Sequence, residues 1–215
     1  MGNGVVIVFG ATGTIGNAVC NHLESVGWRI LKGDRNGYPT EDLSVKIDAV
    51  VWAQGMNFTG SITETSKEKW HSIWEANVFF IVDTLKTLLD KKAFASSAKM
   101  VVIGSVWQEV ARSNKLAYIT SKAAIGGLVR GLAVELGSQS IAINALLPGV
   151  IDSEMSRTQL SSTQIDSIRS ETPSGELVDL DSLVNTIGFL ISGSHHGING
   201  QCITIDNGWS INRDV

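Results

Sequence analysis

The chain alternates short, uniformly apolar runs with longer stretches of helical periodicity. Val5 to Phe9 is an unbroken apolar run rich in β-branched residues, the pattern of a strand buried on both faces, and it ends at Gly10. Thr14 to Val26 then places Ile15, Val19, Leu23 and Val26 along one helical face, with Gly27 as a stop. Arg29 to Lys32, Ala49 to Ala53, Met100 to Ile103, Ile141 to Leu147 and Cys202 to Ile205 are the remaining strand candidates. Lys67 to Lys92 predicts one or two helices, Leu116 to Leu136 a long helix despite three glycines, and Asp181 to Ile191 a last one. Strands separated by helices predict an α/β fold: a doubly wound parallel sheet with helices on both faces. Ligands of such sheets bind outside the carboxyl ends of the strands, which is where this chain puts its Gly, Ser, Asn and Pro-Gly elements.

Composition narrows the function classes. A length of 215 residues fits one domain, residues 1–215, and 43% hydrophobic against 18% charged residues supplies a full core. A net charge of −4 gives no basic footprint, so nucleic acid is not an expected partner. Cys20 and Cys202 are far apart in sequence and neither forms a C-x-x-C pair, which argues against a disulfide framework or a zinc site. Met1 to Gly4 has no charged n-region, and no run approaches the roughly 18 apolar residues of a membrane span. The expectation is a cytoplasmic protein with no membrane partner and no metal.

Gly10-Ala11-Thr12-Gly13-Thr14-Ile15-Gly16 joins the first strand to the first helix. Glycines at this spacing permit a tight turn, close approach of a pyrophosphate and close helix–strand packing, and the helix N-terminus adds free N–H groups. Their placement predicts a dinucleotide site, and the lack of a lysine after the loop disfavours a P-loop ATPase. Asp34, 18 residues beyond Gly16, ends the second strand candidate, where a carboxylate accepts hydrogen bonds from the adenosine ribose and repels a 2′-phosphate. It favours NAD over NADP, although its neighbour Arg35 is a potential phosphate ligand.

Tyr118 and Lys122 are four apart on a predicted helix and share a face. A free tyrosine titrates near pH ~10; bringing it to about 7 needs roughly 4 kcal/mol, to which a neighbouring ammonium and a bound nicotinamide cation both contribute. Ser105 lies thirteen residues before Tyr118, at the carboxyl end of a predicted central strand, placed to hydrogen-bond a substrate oxygen. Asn77 sits inside a helical stretch, where asparagine costs propensity and a buried amide holding water would account for it.

Taken together, Asn77, Ser105, Tyr118 and Lys122 resemble, in order and spacing, the Asn-Ser-Tyr-Lys tetrad of the short-chain dehydrogenase/reductase family. Val101 to Ser105, Ala117 to Lys122 and Asn144 to Gly149 match its wording, and the resemblance runs from the first strand to Asp206-Asn207-Gly208-Trp209. It implies a single-domain Rossmann-type fold and hydride transfer between a nicotinamide cofactor and a small alcohol or carbonyl substrate. Tyr118 would then be the acid/base, Ser105 the carbonyl-orienting group, Lys122 the ribose ligand that lowers the tyrosine pKa, and Asn77 the holder of a water. Pro148, Gly149, Ile151 and Ser153 would line the nicotinamide. It also implies a homodimer or homotetramer built on the helices containing Trp74 and Lys122, with the glycines at 126, 127 and 131 permitting close contact.

The chain departs from that pattern in three places. The middle glycine of the loop, Gly13, is one residue early. Trp52-Ala53-Gln54-Gly55 replaces the usual Asn-Asn-Ala-Gly, leaving backbone contacts from Ala53, Gln54 and Gly55 to adenine. The stretch between Asp34 and Ala49 is too short for the usual elements, which predicts one shortened sheet flank, with Asp42-Leu43 standing near the adenine. Trp107 is a candidate pocket wall beside Ser105, so the tentative substrate residues are Ser105, Trp107 and Tyr118. Arg112, in the same loop, is placed to meet an anionic substrate, although an exposed arginine is the preferred reading; His22, His71, His195 and His196 are read as non-ligands, and residues 153–175 as a substrate lid, with an ordinary surface helix as the alternative. Two other readings compete: a pteridine-type reductase, against which Ser105 argues, and a non-enzymatic dinucleotide sensor, against which the intact tetrad argues.

Overall fold

A computed structural model describes residues 4–33, 45–153, 156–157, 160–192 and 197–212. Six parallel strands form one sheet: β1 (Val5–Phe9), β2 (Arg29–Gly33), β3 (Ile47–Trp52), β4 (Phe94–Ile103), β5 (Ala142–Pro148) and β6 (Cys202–Ile205), in the order β2-β1-β3-β4-β5-β6. The chain steps outward from β1 to β2, then returns to lay β3 on the other side of β1. The winding therefore reverses between β1 and β3, and the crevice at their carboxyl ends is the topological switch point at which ligands of such sheets bind.

Period-two alternation splits the strand side chains between two cores. Ile7, Phe9, Val50, Trp52, Met100, Val102, Ile143 and Leu147 face α3 (Phe80–Asp90) and α4 (Leu116–Gly137), which contribute Ile81, Leu85, Ile125 and Val129. Val6, Val8, Ala49, Val51, Val101 and Leu146 face α1 (Thr14–Ser25) and the helix Leu180–Ile191, which is α6 here, through Val19, Leu23, Leu183 and Ile187. Each such fully buried aliphatic stabilises the fold by about 1.5–3 kcal/mol relative to exposure. The one polar atom of the buried Trp52 indole is satisfied, its Nε1 donating to Thr84 Oγ1 at 2.9 Å.

Most expected elements lie within a residue or two of their sequence-derived bounds. The largest difference is β4, expected from Met100 and observed from Phe94. Its first half contains Ser96 and Ser97, and Ser97 has a φ of 69°. A register shift between Ile47 and Ala49 of the paired β3 absorbs the irregular stretch, so apolar periodicity had no means of revealing it. The helical region after Lys67 is three joined pieces: α2 (Lys67–Trp74), a π-helical turn (Glu75–Phe79) and α3. Among the described residues β2 is the edge strand on that side, one strand from β1, in keeping with the brief connection to β3. No helix among the described residues is long and apolar enough to cross a membrane.

Candidate functional site

The crevice begins at the glycine loop. Gly10 has a φ of +76°, and a Cβ there would lie 2.6 Å from the Gln54 backbone nitrogen, so glycine alone fits between β1 and the segment leaving β3. A Cβ on Gly16 would meet the Gly10 carbonyl oxygen at 2.1 Å, which sets how closely α1 seats on the loop. Gly13 donates its N–H to the Gly10 oxygen at 3.0 Å and caps α1 without a side-chain hydrogen bond. Thr12 and Gly13 are exposed, Thr14 and Ile15 half-buried. The result is a backbone cradle at a helix N-terminus, which suits a pyrophosphate.

Ala53, Gln54 and Gly55 run from β3 along this cradle toward the tetrad. Both polar atoms of the Gln54 side chain are buried without a hydrogen-bond partner. A Cβ on Gly55 would lie 3.2 Å from Asn77 Oδ1 and 3.5 Å from Lys122 Nζ, so the next residue already borders the catalytic groups. The glycine cradle, the orphaned amide and the bare backbone at Gly55 fit an extended polar dinucleotide lying from α1 to Lys122. Asp34, Arg35, Asp42 and Leu43 lie outside the described residues.

Asn77 occupies the middle of the π-helical turn and is buried. Its Oδ1 accepts from Met56 N at 2.7 Å, and its Nδ2 donates to Met56 O at 3.0 Å and Ser121 Oγ at 2.9 Å. Both amide N–H groups are therefore held by protein, so the side chain ties the Met56 backbone to α4. The extra residue of a π turn is what lets Asn77 point at α4 from within a helix.

Ser105 stands two residues beyond β4 and caps the 3-10 turn Val106–Gln108. Its hydroxyl accepts from Trp107 N at 3.4 Å and also acts on the Tyr118 phenol. Lys122, fully enclosed, donates to the Ile103 carbonyl at 2.9 Å, and its Nζ lies 5.9 Å from the Tyr118 ring centroid. Desolvation pushes its ammonium down to about 8. Burial likewise pushes the Tyr118 phenol up from its ordinary value, and the Ser105 hydrogen bond pulls against that shift. Ser105 is the group that opposes burial at the phenol, while the Lys122 ammonium is tied to a backbone carbonyl.

The far wall comes from the carboxyl end of β5. Pro148 is buried, and the Gly149 N–H donates to Ile205 O at 2.9 Å. Ile151 bridges to Val178, while Ser153 Oγ accepts from Ser156 N at 3.2 Å and lies 3.1 Å from Ser156 Oγ. The Asp206 carboxylate accepts from Gly208 N and Ser210 N and so shapes the turn that carries Trp209. The Trp209 ring meets Trp107 edge-to-face with centroids 5.4 Å apart, which makes Trp107 part of an aromatic pair rather than a lone wall. Sequence reasoning missed Ser121, Asn57, Lys115 and Trp209. For Ser121 and Lys115 a signal existed, since both fall one or two turns from the tetrad residues of α4. Gly126 does not lie on the outward face expected of it: it is buried toward Gln108 and Cys202, one helical step away from the open Gly127 and Gly131.

Residues 40–210 match the family model described as enoyl-(acyl carrier protein) reductase. An uncharacterised oxidoreductase of Bacillus subtilis (strain 168), YmfI, is 28% identical over 170 residues, 79% of this chain and 70% of the relative. The 3-oxoacyl-[acyl-carrier-protein] reductase FabG of Pseudomonas aeruginosa is 26% identical over 74% of this chain and 64% of its own length, so the chain spans about two thirds of the curated relatives it matches. In structure, a gluconate 5-dehydrogenase from Burkholderia cenocepacia J2315 in complex with NADP and tartrate superposes with a TM-score of 0.88 at 20% identity, covering 98% of this chain and 96% of that one. With four fifths of its length matched by the family model, on a sheet wound as those relatives require, the chain belongs to the short-chain dehydrogenase/reductase family.

Proposed function

We propose that the protein is a nicotinamide-dependent oxidoreductase acting on a small alcohol or carbonyl compound, with Tyr118 as its acid/base. The observation that carries this reading is the convergence of Ser105, Tyr118, Lys122 and Asn77 on one spot: Asn77 Oδ1 and Lys122 Nζ both border the bare backbone of Gly55, Lys122 Nζ lies 5.9 Å from the Tyr118 ring centroid, and Ser105 acts on the Tyr118 phenol. When bound, the nicotinamide supplies the hydride donor or acceptor. Gly10 to Gly16 hold the pyrophosphate, Lys122 the adjoining ribose, and Pro148, Gly149, Ile151 and Ser153 the carboxamide side. Tyr118 gives a proton to, or takes one from, the substrate oxygen, and Ser105 orients that oxygen from the position where it now meets the phenol. Asn77 acts through others, fixing Met56 and Ser121 around the tyrosine. Residues 153–175, including the wholly surface-lying helix Ser162–Glu171 (α5), form a lid over the substrate. Asp34 selects NAD over NADP.

Titration with NADH and NADPH, followed by tryptophan fluorescence, tests the reading. Tighter NADH binding, with turnover of a carbonyl panel abolished in Tyr118→Phe, is the expected result. Binding of neither dinucleotide by folded protein would overturn it, and a preference for NADPH would move the ribose assignment from Asp34 to Arg35.

A further inference from the structure

Three residues of α4 and its entry share one face over two turns: Lys115, Tyr118 and Lys122. Each ammonium group lies 5.9 Å from the tyrosine ring centroid, one reaching it from the turn before and the other from the turn after. The two lysines have different surroundings. Lys122 is enclosed and bound to the Ile103 carbonyl, on the side of Gly55 and Asn77 where the dinucleotide lies. Lys115 is only half-buried, and its Nζ is held by a side chain, Asn57, instead.

The segment holding Lys115 is fixed in place. Gly60 N donates to Asn114 O at 2.8 Å, and Lys115 Nζ donates to Asn57 Oδ1 at 2.9 Å, so the loop 111–115 is stitched to the stretch beyond Gly55. Arg112 stands three residues before Lys115 in that loop, and burial first, then the Arg112 charge, lowers the Lys115 ammonium. Among the described residues neither cation has an acidic partner in an ion pair. Two like charges held together beside a reacting centre, with a neutral amide oxygen as the only fixed acceptor, are unfavourable until an anion joins them. Anchoring the loop to Asn57 needs a hydrogen-bond donor but no charge.

We propose that Lys115 and Arg112 form an oxyanion-recognition subsite on the substrate side of Tyr118, so that the alcohol or carbonyl compound turned over carries a carboxylate or phosphate close to its reacting carbon. The inference rests on Tyr118 being the acid/base and names the substrate class for that site. The subsite would bind the anionic head and present the adjacent oxygen to Ser105 and Tyr118, a positioning contribution made before any chemistry.

The test separates charge from anchoring and uses the full chain. Malonate and inorganic phosphate are titrated in turn against the protein, at ionic strength held constant with sodium chloride, with tryptophan fluorescence as the readout. The wild type is expected to bind one of them saturably, and which one identifies the head group. Lys115→Gln, which keeps a donor for Asn57, and Arg112→Gln are each expected to weaken that binding about tenfold, whereas Lys115→Arg retains it. No saturable effect beyond chloride, or equal binding by Lys115→Gln, overturns the subsite. Dinucleotide affinity is measured separately, so failure to bind NADH or NADPH would count against the oxidoreductase reading and not be confused with loss of the anion site.

Discussion

Asn77 reaches from the π-helical turn across 2.9 Å to the Ser121 hydroxyl, and Ser121 passes the contact on to the Tyr118 carbonyl at 2.8 Å. One buried amide thereby sets the distance between the segment after β3 and the helix bearing the catalytic tyrosine. Replacing Asn77 with Ala leaves Met56 N, Met56 O and Ser121 Oγ short of partners. The expected loss is on the order of 3 kcal/mol in unfolding free energy by denaturant titration, with about a tenfold fall in kcat in the protein that remains folded. Unchanged stability would show that the amide is replaceable by water.

Gly16→Ala places a methyl where the Gly10 carbonyl oxygen now stands 2.1 Å away, against backbone that has no rotamer to yield. The loop or α1 must shift. Dinucleotide binding is expected to weaken about tenfold or more and stability to fall by about 1–3 kcal/mol. Calorimetric titration with NADH, beside a thermal melt, checks both.

Lys122 makes stability depend on alkaline pH. Its folded pKa of about 8 lies below the ordinary 10.5, so between those values the unfolded chain binds more protons and stability rises with pH. The gain is complete above the unfolded value and is lost as pH falls through the folded one. Relative to Lys122→Met, the wild type should therefore gain about 3 kcal/mol between pH 8 and 10.5. Parallel stability curves for the two proteins across that window would refute the assignment.

Phe79 of the π-helical turn is 46% exposed, and Val134, 83% exposed, shares an open face of α4 with the uncovered Gly127 and Gly131. It is the proposed face of a homodimer or homotetramer. Light scattering is expected to give a multiple of the 23.0 kDa chain mass for the wild type and a smaller assembly for Val134→Lys. A wild type that is monomeric at working concentration removes the proposal.

Sequence made the site legible wherever function depends on local spacing. Gly10 and Gly16 are tied to a turn and a helix start, and Tyr118 and Lys122 to one helix face. It was blind where distant segments decide the outcome. Trp209 meets Trp107 across the length of the second half of the chain, Asn57 is brought to Lys115 by the loop stitched at Gly60, and the bulged half of β4 exists because β3 pairs with it. Asn77 was legible only in part for the same reason: a polar residue in a helix signals a special environment, but its partners, Met56 and Ser121, are set by packing.

The placement of β5 between β4 and β6 also bears on how the molecule is made. Asn144 within β5 bonds to Ile198 and Gln201, 54 and 57 positions later, and Gly149 waits for Ile205. Synthesis runs from the amino end, so the phosphate cradle is complete while the strand that walls the substrate still lacks its outer neighbour. A ribosome paused before residue 202 holds a half-built crevice with an open β5 edge, the kind of surface that invites pairing with another nascent chain.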